Sequence, residues 1–336
     1  MVALHAARPR RLAPGEILEK AWYSGAHWLW LLRPVEAVFR ILAAVRRKLY
    51  RHHLLPVYRP PVPVIVVGNI TTGGTGKTPV VIALVESLQQ CGLRPGVVSR
   101  GYCARSSGAA VRVEVDSHAD QCGDEPLLIR RRTGCPCVVA PRRAQAVQVL
   151  LAGGDVDIVI SDDGLQHYAM ARDLEIALID AQRGTGNGFC LPAGPLREPL
   201  SRLEQVDFVL YRGSVEPRSG VHYAIDCLVN LESGEIRPAT PAALASEVIA
   251  VAGIGQPEQF MDTLAALGFA PARHYFADHH SYTAADFAGL THKPIIMTEK
   301  DAVKCAGLAG SNAWYLKITA QLPAAVTAAA IALARR

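Results

Sequence analysis

The run Pro63-Val-Ile-Val-Val-Gly-Asn-Ile-Thr-Thr-Gly-Gly-Thr-Gly-Lys-Thr-Pro79 constrains this chain more than any other stretch. A short β-branched strand feeds a glycine-rich turn that closes on Gly76-Lys77-Thr78. Gly73, Gly74 and Gly76 can take the backbone angles that aim successive N–H groups into one concavity, a geometry that holds phosphate. Lys77 is placed to reach β- and γ-phosphates, and the Thr78 hydroxyl to ligate Mg²⁺. The apolar stretch from Val80 to Leu88 reads as a helix whose positive end faces the bound anion, and Pro79 is tolerated because it falls in the first turn. The expected nucleotide loop is therefore Thr71, Thr72, Gly73, Gly74, Thr75, Gly76, Lys77 and Thr78. Thr71 stands where the general G-x-x-x-x-G-K-[ST] pattern has its first glycine. The plain alternative is a strand-to-helix connection with no ligand. The strand before, the helix after and the Gly-Lys-Thr core favour a nucleoside triphosphate.

Apolar runs at Gly96–Ser99, Pro136–Ala140, Asp157–Ser161, Leu174–Asp180 and Val206–Tyr211 have the length and branching of buried parallel strands. Alternation with helical segments predicts a phosphate-loop NTPase-like, doubly wound α/β sheet with ligands at the carboxyl ends of its strands. Two short extended pieces, Val221–Asp226 and Cys227–Glu235, flank a Ser233-Gly234 turn and read as a β-hairpin linker. A second, smaller α/β unit follows, with strands at Glu247–Gly253 and Lys293–Met297 and helices at Pro257–Leu267 and Leu322–Ala334. With 336 residues available, the expected division is an amphipathic membrane-surface segment at 1–53, a nucleotide-binding domain at 54–212, an extended linker at 213–240 and a C-terminal domain at 241–336.

The N-terminal stretch Ala26–Val45 is interrupted by Arg33, Pro34, Glu36 and Arg40, so it does not suit a bilayer span. Trp22, Tyr23, Trp28, Trp30, Leu31, Leu32, Val35, Phe39, Leu42 and Val45, flanked by Arg46, Arg47, Lys48 and Arg51, suit the water–lipid interface instead. The alternative is packing on the chain's own core. A net charge of +5 gives no argument for nucleic acid, and no obligate protein partner is inferred. Eight cysteines without paired spacing fit reduced thiols in the cytoplasm, and Cys122 with Cys135-Pro-Cys137 lacks the partners of a metal site.

Several residues can do chemistry. The run ending in Asp162-Asp163-Gly164 delivers two acids at a strand's carboxyl end, where they can complete a Mg²⁺ site begun by Thr78. Asp124, in Gly123-Asp-Glu-Pro126, is either a helix cap or the carboxylate that orients an acceptor hydroxyl. In Asp278-His279-His280-Ser-Tyr282, one histidine bonding a catalytic carboxylate across a cleft is more economical than metal ligation. Within the Gly/Pro-rich loop 186–199, Arg197 can clamp a phosphate and Glu198 can touch the metal. Arg100 and Tyr102, at another strand end, can meet an anionic or sugar-like acceptor. Thr298-Glu-Lys-Asp301 reads as a helix start capped by Thr298.

Taken in order, Gly68-Asn69, Gly73-Gly-Thr-Gly-Lys-Thr-Pro79, Ser99-Arg-Gly-Tyr102, Gly123-Asp-Glu-Pro126, Asp162-Asp-Gly-Leu-Gln-His167, Gly186-Asn-Gly188 with Leu191-Pro-Ala-Gly-Pro-Leu-Arg-Glu198, Asp278-His-His280 and Thr298-Glu-Lys-Asp-Ala-Val-Lys304 resemble the tetraacyldisaccharide 4′-kinases of lipid A synthesis. The resemblance implies transfer of the ATP γ-phosphate, with Mg²⁺, to the 4′-hydroxyl of a tetraacylated glucosamine disaccharide 1-phosphate. It implies a peripheral enzyme at the cytoplasmic face of the bacterial inner membrane, touching the lipid surface. On that reading Asp124 is the base, His279 rather than His280 supports it, and Lys77 acts on the transferring phosphate. Thr78, Asp162, Asp163 and Glu198 surround the metal, while Arg100, Tyr102, Gln166, His167 and Arg197 face the acceptor. Cys103 departs from the glycine that usually follows Arg-Gly-Tyr. The rival class is a membrane-associated phosphate-loop switch or metallochaperone that hydrolyses nucleotide without an acceptor.

Overall fold

The computed structural model describes residues 14–101, 108–290 and 292–336. Tyr102 and Cys103 lie outside the described residues. The chain enters through α1 (Pro14–Ser24), a 3₁₀ turn (His27–Leu32) and α2 (Arg33–Arg51). The apolar residues of this segment divide. Trp22 and Leu29 are buried beside Leu191, and Trp22 Nε1 donates to the Pro192 carbonyl at 3.0 Å. Trp30, Leu31, Val35, Val38, Leu42 and Val45 are exposed. On α2 the exposed positions recur every three or four residues, which makes one outward apolar stripe. The inner side is polar where it docks: Glu36, 1% exposed, accepts the Cys190 N–H at 3.1 Å and pairs with Arg33 at 2.8 Å.

The nucleotide-loop strand β1 (Val64–Gly68) is buried at every position, as a β-branched run in the middle of a parallel sheet should be. It is followed by α3 (Lys77–Gln90), β2 (Pro95–Ser99), β3 (Val111–Val113), α4 (Ala119–Cys122), α5 (Asp124–Thr133), β4 (Cys137–Val139), α6 (Arg143–Leu151), β5 (Ile158–Asp162), β6 (Leu174–Asp180) and β7 (Phe208–Arg212). The order across this half is β7-β6-β1-β5-β2-β4-β3, parallel except for β3 on β4. Because β1 lies between β5 and β6, the nucleotide loop and the acids closing β5 open at the same edge.

The expected hairpin pieces are one continuous strand, β8 (Gly220–Asn230), whose turn leads into the two-residue β9 (Ile236–Arg237). β8 pairs in parallel with β7 through Gly220 and Val221, and antiparallel with a later strand along the rest of its length. It therefore joins two half-sheets into one 13-stranded sheet. The second half contains β10 (Glu247–Ala252), α7 (Pro257–Ala266), β11 (Ala270–Tyr275), α8 (Ala284–Phe287), β12 (Ile295–Thr298), α9 (Glu299–Ala302), β13 (Ala313–Gln321) and α10 (Ala324–Ala334). Its order is β11-β10-β12-β13, parallel throughout, with β13 against β8. β3, β11 and β13 are strands beyond those expected from the apolar runs of the sequence.

Helix α3 is apolar around most of its circumference, with Val80–Val85 and Leu88 all buried. It packs on the first half-sheet by one side, and Ala320 of β13 and Val326 and Ala330 of α10 join its cluster from the other. Each Val, Ile or Leu side chain among them contributes about 1.5–3 kcal/mol by burial. The helix that presents Lys77 is thus held by both halves of the molecule.

Candidate active site

The loop after β1 is shaped by Asn69, fully buried, whose Nδ2 donates to the Thr71 carbonyl at 2.9 Å. Its Oδ1 accepts from Lys77 Nζ at 3.2 Å. Gly73 and Gly76 take φ of 94° and 78°. At Gly76 a side chain is excluded twice, because an added Cβ would also lie 2.5 Å from the Tyr223 hydroxyl. Thr71 has no positive φ, so no glycine is required there. Instead it is buried and bridged to Leu196, while the Thr72 N–H donates to the Pro195 carbonyl at 2.8 Å. The Gly/Pro loop 186–199 thus buttresses the nucleotide loop. From the joining strand β8, Tyr223 donates to the Gly76 carbonyl, and from the second half Gln256 Nε2 donates to that of Gly74 at 3.2 Å.

Two acids close β5. Asp162 is buried and its Oδ1 has no hydrogen-bond partner. Burial, reinforced by the charges of Glu125 and Asp163 against those of Lys77 and Arg143, pushes its carboxyl up to about 7. Asp163 takes φ of 49° and sits between Lys77 Nζ at 3.5 Å and Arg197 Nη1 at 3.1 Å. Burial raises its carboxyl, but those two cations outweigh it and hold it below the usual carboxylate range. An orphaned buried carboxylate oxygen near the start of the helix that carries Thr78 suits a hard cation with oxygen ligands. Glu198 faces elsewhere: Gln166 donates to one oxygen at 2.9 Å, Tyr168 donates to the other, and Arg47 and Arg202 lie 3.7 and 3.6 Å away. Among the described residues no three His, Cys, Asp or Glu side chains form a metal-holding group, so Asp162, Asp163 and Glu198 do not converge as one ligand set. Cys122, Cys135 and Cys137 are free thiols whose pKa values burial raises.

Asp124 is the first residue of α5, and Gly123 rather than Asp124 occupies its cap. Its side chain bonds one adjacent backbone N–H, that of Glu125 at 3.1 Å, and otherwise points at the second half. His279 Nδ1, on the turn after β11, lies 3.1 and 3.0 Å from its two oxygens. Lys300 Nζ lies 3.9 Å from Asp124, 3.3 Å from Glu125 and 3.3 Å from Asp278, and Lys304 Nζ lies 3.7 Å from Asp124. Burial would raise the Asp124 carboxyl, but the His279 hydrogen bond and both ammonium groups outweigh it and bring it to about 2. The same hydrogen bond raises His279 against burial. His279 takes φ of 59°, an uncommon backbone state that the surrounding contacts must hold. His280 turns away to Asp286 at 3.4 Å and stacks on Phe276. Thr298 caps α9 as its sequence suggests, which sets the position of Lys300.

Between the glycine-rich loop and the neighbours of this pair lies a cavity of about 650 Å³. Gly74–Thr78 form one wall, Glu125, Asp278 and Lys300 another, and Ile225, Phe260, Leu316 and Ile318 make an apolar end. That volume and mix of walls match a site for a nucleotide-sized ligand. Beside the acids, His167 is pushed down to about 4 by burial and the nearby charges of Arg143 and Arg100, so it is neutral near pH 7. Gln166 bridges the Asn69 carbonyl at 3.2 Å and Glu198. Arg100 is exposed at the end of β2. Asn69, Tyr223, Gln256 and Lys300 were not singled out from the sequence. For Asn69 the signal was present, a polar residue immediately after a buried strand and before a phosphate loop. Tyr223 and Gln256 reach the loop through the pairing of the two halves, which local patterning does not encode.

Comparison with known proteins points one way. A family model described as tetraacyldisaccharide-1-P 4′-kinase matches residues 28–334. A Pseudomonas aeruginosa protein named tetraacyldisaccharide 4′-kinase is 51% identical over 308 residues, 91% of this chain and 93% of its own. A Pseudomonas putida protein of the same name is 50% identical over 313 residues, covering 92% and 94%. The crystal structure of LpxK from Aquifex aeolicus in complex with ATP superposes with a TM-score of 0.79 at 29% identity, covering 91% of this chain and 99% of that one.

Proposed function

Because the chain belongs to the tetraacyldisaccharide-1-P 4′-kinase family, we infer that it transfers the γ-phosphate of ATP to the 4′-hydroxyl of a tetraacylated glucosamine disaccharide 1-phosphate, a step of lipid A synthesis. The observation that carries this reading is the meeting of the two halves. The glycine-rich loop of one half lines a cavity with Glu125, Asp278 and Lys300, and the adjacent Asp124–His279 contact joins the two halves beside it.

The loop amides and Lys77 hold the β- and γ-phosphates. Lys77 now contacts the carboxylate of Asp163, so an arriving phosphate replaces one anion with another. Thr78 and Asp162 would hold Mg²⁺, whereas Asp163 is engaged by Lys77 and Arg197 and Glu198 by Gln166 and Tyr168. A cation held there would supply positive charge against that of the phosphates. Asp124, ionised across the neutral range, accepts a hydrogen bond from the 4′-hydroxyl and aims it in line. Phosphoryl transfer through a loose transition state asks more for this orientation than for early deprotonation. His279 fixes the carboxylate. Arg197, Arg100, Gln166 and His167 line the acceptor side, the last as a neutral hydrogen-bonding group, and Tyr102 belongs with them by its place in the motif.

The acceptor is an acylated lipid, and the outward stripe on α2 with Trp30 and Leu31 is the surface that meets the membrane. Among the described residues no helix is long and apolar enough to cross a bilayer. We place the enzyme peripherally on the cytoplasmic face of the inner membrane, with the division at 1–53, 54–212, 213–240 and 241–336 separating surface, nucleotide, joint and closing units. ADP release measured with and without the lipid disaccharide tests the reaction. Release that depends on acceptor is expected; equal rates would assign the chain to the hydrolysing switches.

A further inference from the structure

A second concavity lies at the C-terminal end of α2. It encloses about 320 Å³ and is lined by Arg47 and Arg51 of α2, Arg59 before β1, and Arg172 and Arg202. Glu175 is the acid among its lining residues. Arg202 holds both Glu175 oxygens at 2.5 and 2.6 Å, and Arg172 adds a contact at 2.9 Å. Glu198, just outside, is 3.7 Å from Arg47. Two carboxylates therefore balance two of the five guanidinium charges. Arg51 and Arg59 are exposed, and among the described residues neither has an acid within ion-pair distance.

The wall is built rather than incidental. Tyr50 and Tyr168 stack with ring centroids 6.3 Å apart, and the Arg172 guanidinium lies over the Tyr168 ring at 5.1 Å. Rings and the buried Glu175 network fix the guanidinium planes, which are suited to two-pronged hydrogen bonds with phosphate oxygens. The location supplies the rest. The same helix exposes Val35, Val38, Leu42 and Val45, and Leu54 just beyond it is 70% exposed. Arg47 and Arg51 project from the side of α2 that carries Glu36, so the cationic concavity lies on the polar side of a helix whose opposite, apolar side enters the lipid surface, where phosphate groups stand.

We propose that this pocket binds the phosphate group of a lipid lying at the membrane surface beside α2. The proposal rests on the membrane placement of α2 and not on phosphotransfer. The probe is dihexanoylphosphatidylglycerol below its micellar concentration, titrated calorimetrically into the full chain without nucleotide, so neither a bilayer nor turnover is needed. Arg51→Gln/Arg59→Gln is expected to weaken binding roughly tenfold or more through two lost charge-assisted contacts. Arg40→Gln/Lys48→Gln removes equal charge from α2 outside the pocket and is expected to leave binding unchanged. No binding, or equal loss in both variants, would reduce the cluster to diffuse surface charge and overturn the proposal. The acceptor KM in neutral detergent then separates two sources of phosphate. If the pocket variant raises it with kcat unchanged, the acceptor's own 1-phosphate occupies the site; if KM stays constant while monomeric lipid binding falls, the occupant is a bilayer phospholipid.

Discussion

His279 Nδ1 lies 3.0 Å from Asp124 Oδ2, and the contact ties the turn after β11 to the first residue of α5. A carboxylate from the nucleotide-binding half is thereby positioned by a residue of the other half. Lys300 and Lys304 complete the enclosure.

Asp124→Asn keeps the shape and removes the charge proposed to orient the acceptor. Its kcat is expected to fall by about 10²–10⁴, the usual range for a positioned acid–base group. Affinity for a nonhydrolysable ATP analogue, measured by calorimetry, should change little. His279→Gln is expected to cost less, because the carboxylate remains. A parallel collapse of nucleotide affinity in Asp124→Asn would assign Asp124 to the nucleotide instead.

The same pair makes stability depend on pH. His279 is raised above its ordinary 6.5, so its contribution is complete below that pH and fades as pH rises through the folded value. Asp124 is depressed from 3.8 to about 2, so its contribution is present above 3.8 and is lost as pH falls through about 2. Between those limits wild type should exceed His279→Gln in denaturant midpoint by a constant amount, and the gap should narrow on the alkaline side. A gap independent of alkaline pH would mean that the histidine is neutral in the folded chain.

Much of this was legible in the sequence, for identifiable reasons. Strands β1, β5 and β6 are continuous apolar runs because both faces of the sheet are covered, and the loop between β1 and α3 carries its chemistry in its glycines. What escaped has physical causes as well. β11 contains Pro271 and is largely exposed, so neither composition nor burial marks it. β13 does alternate, with Trp314, Leu316 and Ile318 on one core, yet it follows a turn-rich segment that hid its start. β8 reads as two pieces because Asp226 interrupts it, and the register shift opposite that residue, between Lys317 and Ile318, is where the strand changes course. Glu198 looked like a metal neighbour because its loop does reach the nucleotide loop through Leu196 and Arg197, but its own side chain faces Tyr168 and Arg202.

The outward stripe on α2 makes its own prediction. Leu31 is 80% exposed and Leu42 63% exposed, so replacing both with glutamate should leave the fold and its melting temperature unchanged. Sedimentation with phospholipid vesicles should drop by roughly two orders of magnitude, since each buried leucine side chain is worth about 1.5–3 kcal/mol. Unchanged partitioning would return the stripe to a surface without a membrane role.

Asp162 tests whether the site stores a cost that binding relieves. Its carboxyl is raised to about 7 chiefly by burial, so in the absence of a cation the folded chain resists ionising it. An acid whose folded pKa lies above its unfolded one lowers stability as pH climbs from 3.8 through about 7. Asp162→Asn removes that penalty while keeping the volume, so the nucleotide-free variant should melt higher than wild type at pH 8, with the difference shrinking by pH 4. Its turnover should be abolished and its ATP affinity should cease to respond to Mg²⁺, because the orphaned oxygen is the one the ion would take. Functional sites commonly trade stability for activity in this way. A variant that melts lower at pH 8 would show that Lys77 and Arg143 already satisfy the charge, and would leave the cation with no claim on this residue.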